Sequence, residues 1–159
     1  MEKRLAGFEL LDIVNRRQRV EKNPYELLSD QNQRDISLLY GVAIDQVMKG
    51  KGTADDVGHL AQMVSTALVL CERGHGAEFL DEVILAQHAL WRLKMRVDGG
   101  AGLAFDAPGL QAMRRAYELH NAQIGVAGQG ELHAAWKEVI KRYEEGNHFS
   151  GSEVVPVRA

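Results

Sequence analysis

Thr53-Ala-Asp-Asp-Val-Gly-His-Leu-Ala-Gln-Met-Val-Ser-Thr-Ala-Leu-Val-Leu-Cys-Glu-Arg-Gly74 is the stretch that decides how this chain reads. Val57, Leu60, Ala61, Val64, Ala67, Leu68 and Cys71 recur at intervals of three and four, the period of one face of an α-helix. Thr53 followed by Asp56 is a start of the capping-box kind, with Asp in place of the preferred Glu. Arg73 falls in the last turn, where the helix dipole favours a cation. Gly74 tolerates the left-handed backbone that ends a helix. Start, stripe and stop therefore agree on one helix. Cys71 lies on its stripe and reads as a small core residue. It is the single cysteine of the chain, so no disulfide forms within it.

Working outward, the same punctuation repeats. The chain has 16 glycines against 3 prolines. They cluster at Gly50/Gly52, Gly74/Gly76, Gly99/Gly100/Gly102, Gly125/Gly128/Gly130 and Gly146, and the intervals carry helical spacing. Asp30–Met48, with Ser29 as cap, has the stripe Ile36, Leu39, Tyr40, Ala43, Val47. Asp106 and Pro108 begin a helix with the stripe Leu110, Met113, Tyr117, Ile124, since Asp caps and Pro is tolerated in a first turn. A helix over 130–145 carries Leu132, Ala135, Trp136, Val139, Ile140 and Tyr143. Glu2–Arg17 buries Leu5, Phe8, Leu11 and Val14 less cleanly. No strand pattern persists, and Pro156 demotes the short run Glu153–Val157 to an edge strand or a tail. The expectation is an all-α fold: a compact bundle of five to six helices joined by Gly-rich turns. Residues 1–147 form a single helical domain, and 148–159 a flexible C-terminal tail. A length of 159 residues suits one core.

Ala77–Val97 differs from the other segments. Phe79, Leu80, Val83, Ile84, Ala86, Leu90, Trp91, Leu93, Met95 and Val97 cover more than one helical face. A helix apolar around most of its girth is usually central, so this segment is expected in the middle of the bundle. The alternative is that one of its faces is a subunit interface. Trp91, Arg92, Met95 and Arg96 are then the interface candidates, Trp and Arg being enriched at binding hot spots.

Several function classes lose support. The start, Met1-Glu-Lys-Arg-Leu-Ala-Gly-Phe8, lacks the apolar run of a secretory signal. No stretch approaches a membrane span. A cytoplasmic protein is expected. HExxH and CxxC spacings are absent. Asp55 and His59 stand four apart on one helix, an arrangement more common in surface pairs than in metal sites. Val97–Ala104 and Gly125–Gly130 are glycine-rich, yet neither has a Walker lysine nor follows a strand, as a nucleotide-binding fingerprint requires. Gly-x-Ser-x-Gly is missing. No metal, cofactor or catalytic residue is expected. His120 shares the stripe of Met113, Tyr117 and Ile124. It reads as a hydrogen-bonded core histidine, with a pocket residue as the alternative; an enzyme with a pocket there is the third functional reading.

Net charge is −3 over the whole chain, but it is banded: residues 35–90 are acidic and 91–115 basic. Arg16, Arg17 and Arg19 form one basic cluster. Arg114 and Arg115 form another, together with Arg92 and Arg96 if the two helices that carry them pack antiparallel. A nucleic-acid-associated transcriptional regulator is the second reading, although such proteins show a stronger basic excess.

Arg4-Leu-Ala-Gly-Phe-Glu-Leu-Leu-Asp12 and Asp35-Ile-Ser-Leu-Leu-Tyr-Gly-Val-Ala-Ile-Asp-Gln46 resemble small helical proteins of unassigned role in proteobacterial genomes, which often accompany phages and other mobile elements. The resemblance implies a regulator or an inhibitor of host machinery. The leading expectation is a non-enzymatic, protein-binding accessory protein, forming homo-oligomers and acting on a host protein complex.

Overall fold

The computed structural model describes residues 24–146. The expected helix Glu2–Arg17, the cluster Arg16, Arg17 and Arg19, and the tail 148–159 lie outside the described residues. Five helices follow in order: α1 (Asp30–Met48), α2 (Ala54–Glu72), α3 (Leu80–Asp98), α4 (Ala107–Val126) and α5 (Gln129–Glu144). A 3-10 turn, Ala77–Phe79, leads into α3. Among the described residues the β pairing is one isolated bridge, Leu27 to Gly128. The fold class is all-α, and no described helix is long and apolar enough to cross a membrane.

Local chemistry sets the helix starts. Ser29 Oγ accepts from the Asn32 amide at 3.1 Å. At α2 the capping box closes with Asp: Thr53 Oγ1 accepts from the Asp56 amide at 3.3 Å, and Asp56 Oδ2 from the Thr53 amide at 2.8 Å. Asp106 Oδ1 accepts from the Gly109 amide at 2.7 Å. Gly74, after α2, has φ +96°, a conformation strained for any residue with a Cβ.

Helix α5 is started differently. Its cap is Gly128, which offers no side-chain oxygen. The first amides of the helix instead donate to distant carbonyls: Gln129 N to Glu26 O at 2.7 Å and Gly130 N to Pro24 O at 2.8 Å. These bonds satisfy donors that every helix N-terminus leaves orphaned. Gly130 is therefore a close-approach glycine rather than a helix terminator; a Cβ there would lie 2.5 Å from Pro24 Cβ. Gly130→Ala is expected to cost about 1–3 kcal/mol through overpacking, read as a lower urea midpoint at unchanged m-value.

Cross-links fix the helix directions. Tyr117 of α4 meets Ser37 of α1, hydroxyl to hydroxyl at 2.8 Å, and Arg114 lies beside Met48. Helices α1 and α4 are thus antiparallel. Arg92 meets Asp106 while Glu82 meets Arg115, so α3 and α4 are antiparallel as well. Helices α2 and α4 pack on each other and lie between α1 and α3, which stand on opposite flanks. Helix α5 packs on α2. The consecutive residues Glu72 and Arg73 reach Arg142 at 2.8 Å and Glu131 at 2.7 Å. Those two partners lie on the order of 16 Å apart along α5, so α5 crosses the end of α2 rather than running along it.

The central helix is α2, not α3. Helix α2 contacts all four other helices. Its buried residues, among them Leu60, Gln62, Met63, Thr66, Val69 and Leu70, cover well over half of its circumference, leaving out the side of Ala61, Ser65 and Glu72. Gln62 and Thr66 hide this in the sequence because they are polar. Inside, Thr66 Oγ1 donates to Gln62 O at 2.8 Å. Helix α3 buries Val83, Ala86, Ala89, Leu90 and Leu93, a single side. Of its remaining apolar residues, Leu85, Met95 and Val97 are exposed, Ile84 and Trp91 are half-buried, and Leu80 packs against the core.

Candidate protein-docking face on helix α3

The inner side of α3 rests on α2 and α4. At 100° per residue, the opposite side collects Asp81, Ile84, Leu85, His88, Trp91, Arg92 and Met95 within about 60° of His88. Leu85 is 55% exposed and Met95 52%. Ile84, His88 and Trp91 are half-buried. Lys94 Nζ sits 5.5 Å from the Trp91 ring centroid, a cation–π distance. The helix has an apolar side facing inward and a second, largely apolar side facing out. Its ends differ in charge, with Asp81 and Glu82 in the first turn and Arg96 in the last. That polarity matches the helix dipole.

All four expected interface residues, Trp91, Arg92, Met95 and Arg96, lie on or beside this outward side. Arg92 is engaged within the chain. Its Nε and Nη2 donate to Asp106 Oδ2 at 2.8 Å and Oδ1 at 3.2 Å. The bidentate bond holds the Asp106 carboxyl below the usual carboxylate range and raises the Arg92 guanidinium. Arg92 thereby pins α3 to the residue that caps α4. Leu85 and Ile84 complete the face. Ile84 is visible in the sequence as part of the apolar excess. Leu85 is distinguished only by lacking neighbours, which the sequence does not show.

Among the described residues, Arg92, Arg114 and Arg115 do not join into one patch. Arg114 turns towards α1, with Nη2 2.9 Å from Met48 Sδ. Arg115 turns towards α3 and faces Glu82 at 3.5 Å. The antiparallel register sets Arg92 and Arg115 at opposite ends of α3, and each faces a carboxylate. A phosphate backbone approaching there meets Glu82 and Asp106 as well as the arginines.

His120 is fully buried, edge-on to Tyr40, with ring centroids 5.5 Å apart. Its Nδ1 lies 3.4 Å from Gln123 Oε1. Its Nε2 and the Tyr40 hydroxyl find no hydrogen-bond partner among the described residues. Burial pushes the imidazole down to about 4 and the Tyr40 phenol up, so both are neutral near pH 7. Gln123 is the residue that sequence reading missed here. Its Nε2 donates to Ala67 O at 3.1 Å and to His75 O at 2.9 Å. The Cys71 thiol donates to Gly76 O at 3.2 Å, and burial raises it to about 11. Together they tie α4 to the end of α2 and the turn after it. The one available signal was position: Gln123 falls three residues after His120, on the same side of the helix. The His120 ring itself is closed to solvent.

Among the described residues no three His, Cys, Asp or Glu side chains are placed to hold a metal ion. No family model, curated protein or solved structure matches this chain.

Proposed function

We propose that this chain is a non-enzymatic, protein-binding accessory protein whose working surface is the outward side of α3. One observation carries the reading: Leu85 and Met95 are both more than half exposed on the side of α3 turned away from the core, and half-buried Ile84 and Trp91 extend that side. Contiguous exposed apolar surface rimmed by charge is the mark of an interaction site, and an aromatic with flanking arginine is the usual anchor chemistry. The surroundings proposed with it are cytoplasmic, on a host protein complex of the kind that mobile elements target. The fold proposed with it is a compact bundle of five to six helices joined by Gly-rich turns.

The test is the double variant Leu85→Glu/Met95→Glu, with Leu38→Glu as control. Leu38 is 65% exposed on α1, at the opposite flank. All three changes are at exposed positions, so circular dichroism and the unfolding midpoint should move little. Affinity purification from the native host should lose its specific partner by about tenfold or more with the double variant and keep it with the control. A partner recovered equally with both means that α3 is not the docking surface.

A further inference from the structure

Resting on that reading, we infer that the partner on the outward side of α3 is a second copy of this chain, docked antiparallel about a two-fold axis near His88. The argument is charge placement. Helix α3 is acidic at its start and basic towards its end; on the outward side these charges are Asp81 and Arg96, while Glu82 turns to Arg115 and Lys94 lies over Trp91. Two parallel copies would set acid against acid and base against base. Two antiparallel copies set the acidic turn of each beside the basic turn of the other. A two-fold interface uses the same patch on both subunits, so the patch must be complementary to itself. This one is. A two-fold at His88 relates residues on the same lateral side of the two facing helices. It brings Ile84 of each copy level with Trp91 of the other, on one side. On the other side it brings Asp81 beside Arg96. His88 then meets its own copy at the axis, Ile84 and Trp91 meet on one side of it, Leu85 lies level with Arg92 on the other, and opposite charges meet at both ends. Among the described residues α3 stands on one flank, away from α1, and no other helix packs on this side. Like-charge juxtaposition across an interface is strongly discriminating, which makes the pairing geometry testable by charge reversal.

The experiment is sedimentation velocity on the full chain over a concentration series, with Asp81→Lys, Arg96→Glu and their mixture. Wild type should be a dimer at micromolar concentration, weakened by added salt because the end contacts are exposed. Each variant alone places like charges at both ends of the interface and should dimerise about tenfold more weakly. An equimolar mixture restores opposite charges at both ends and should recover dimer to near the wild-type level. Weakening by each variant alone, followed by recovery in the mixture to the wild-type level, is the antiparallel pattern; a parallel pair would leave the single variants no weaker than wild type and make the mixture tighter than it. A wild-type chain that stays monomeric at high micromolar concentration overturns the self-pairing, as does a mixture no tighter than the single variants. If the chain is monomeric while Leu85→Glu/Met95→Glu still abolishes capture of a host protein, the docking surface stands and only the second copy is refuted.

Discussion

Trp136→Ala is expected to remove about 3–5 kcal/mol of stability, the usual cost of truncating a fully buried tryptophan. Domains of this size are stable by about 5–15 kcal/mol, so the variant should lose a large share of that margin and unfold at a clearly lower urea concentration. Trp136 is completely buried on α5, in one core cluster with Leu132 and Ala135 of the same helix and with residues of α2. Helix α5 packs on α2, so this side chain anchors a helix with few other attachments. The indole Nε1 has no hydrogen-bond partner among the described residues. Trp136→Phe therefore loses volume but also removes an unsatisfied buried donor, and should cost clearly less than the alanine variant. Urea unfolding followed by far-ultraviolet circular dichroism separates the two. Equal losses for Phe and Ala would contradict this, since they would mean that ring packing contributes nothing at this position.

Acidification has the next largest effect. The folded-state pKa of His120 is pushed to about 4 by burial, from 6.5. Above pH 6.5 the ring is neutral in both folded and unfolded chains, and this group adds no pH dependence. Between pH 6.5 and 4 the unfolded chain takes up a proton that the folded chain refuses. Stability then falls by roughly 1.4 kcal/mol per pH unit, about 3 kcal/mol in all, and the loss levels off below pH 4. His133, also shifted down by desolvation and then by Lys137, adds to the same trend. The depressed carboxyls of Asp106 and Glu131 lose their contribution at lower pH still. Denaturant unfolding at pH 7.5, 6, 5 and 4.5 should show the fall in wild type and a much flatter profile in His120→Gln. Parallel profiles would show that His120 does not set the acid sensitivity.

Helix existence and helix starts were legible in the sequence wherever the controlling chemistry is local. Ser29, Thr53 with Asp56, and Asp106 each cap the helix they precede, and no tertiary contact is needed to see it. Where the partner is remote, the sequence is silent. The start of α5 depends on carbonyls of Pro24 and Glu26, about a hundred residues away. Periodicity also reports which side of a helix is apolar without reporting what covers it. That is why α3, with apolar residues around its girth, reads as central although only one side of it is covered. Conversely, Gln62 and Thr66 interrupt the apolar pattern of α2, and the helix at the centre reads as an ordinary amphipathic one. The docking face was half legible for the same reason. Trp91, Met95 and Arg96 stand out by residue type. Leu85 does not, and the bond from Arg92 to Asp106 requires the antiparallel register of α3 and α4.

The central claim is that the outward side of α3 meets another protein. Its most direct test is photo-crosslinking in the native host from a benzoylphenylalanine placed at Met95, with Leu38 as the control position. Both sites are exposed and lie on opposite flanks. A discrete crosslinked species from position 95, either twice the chain mass or a heterologous adduct, and none from position 38 is the expected result. No adduct from position 95, or the same adducts from both positions, contradicts a docking face on α3.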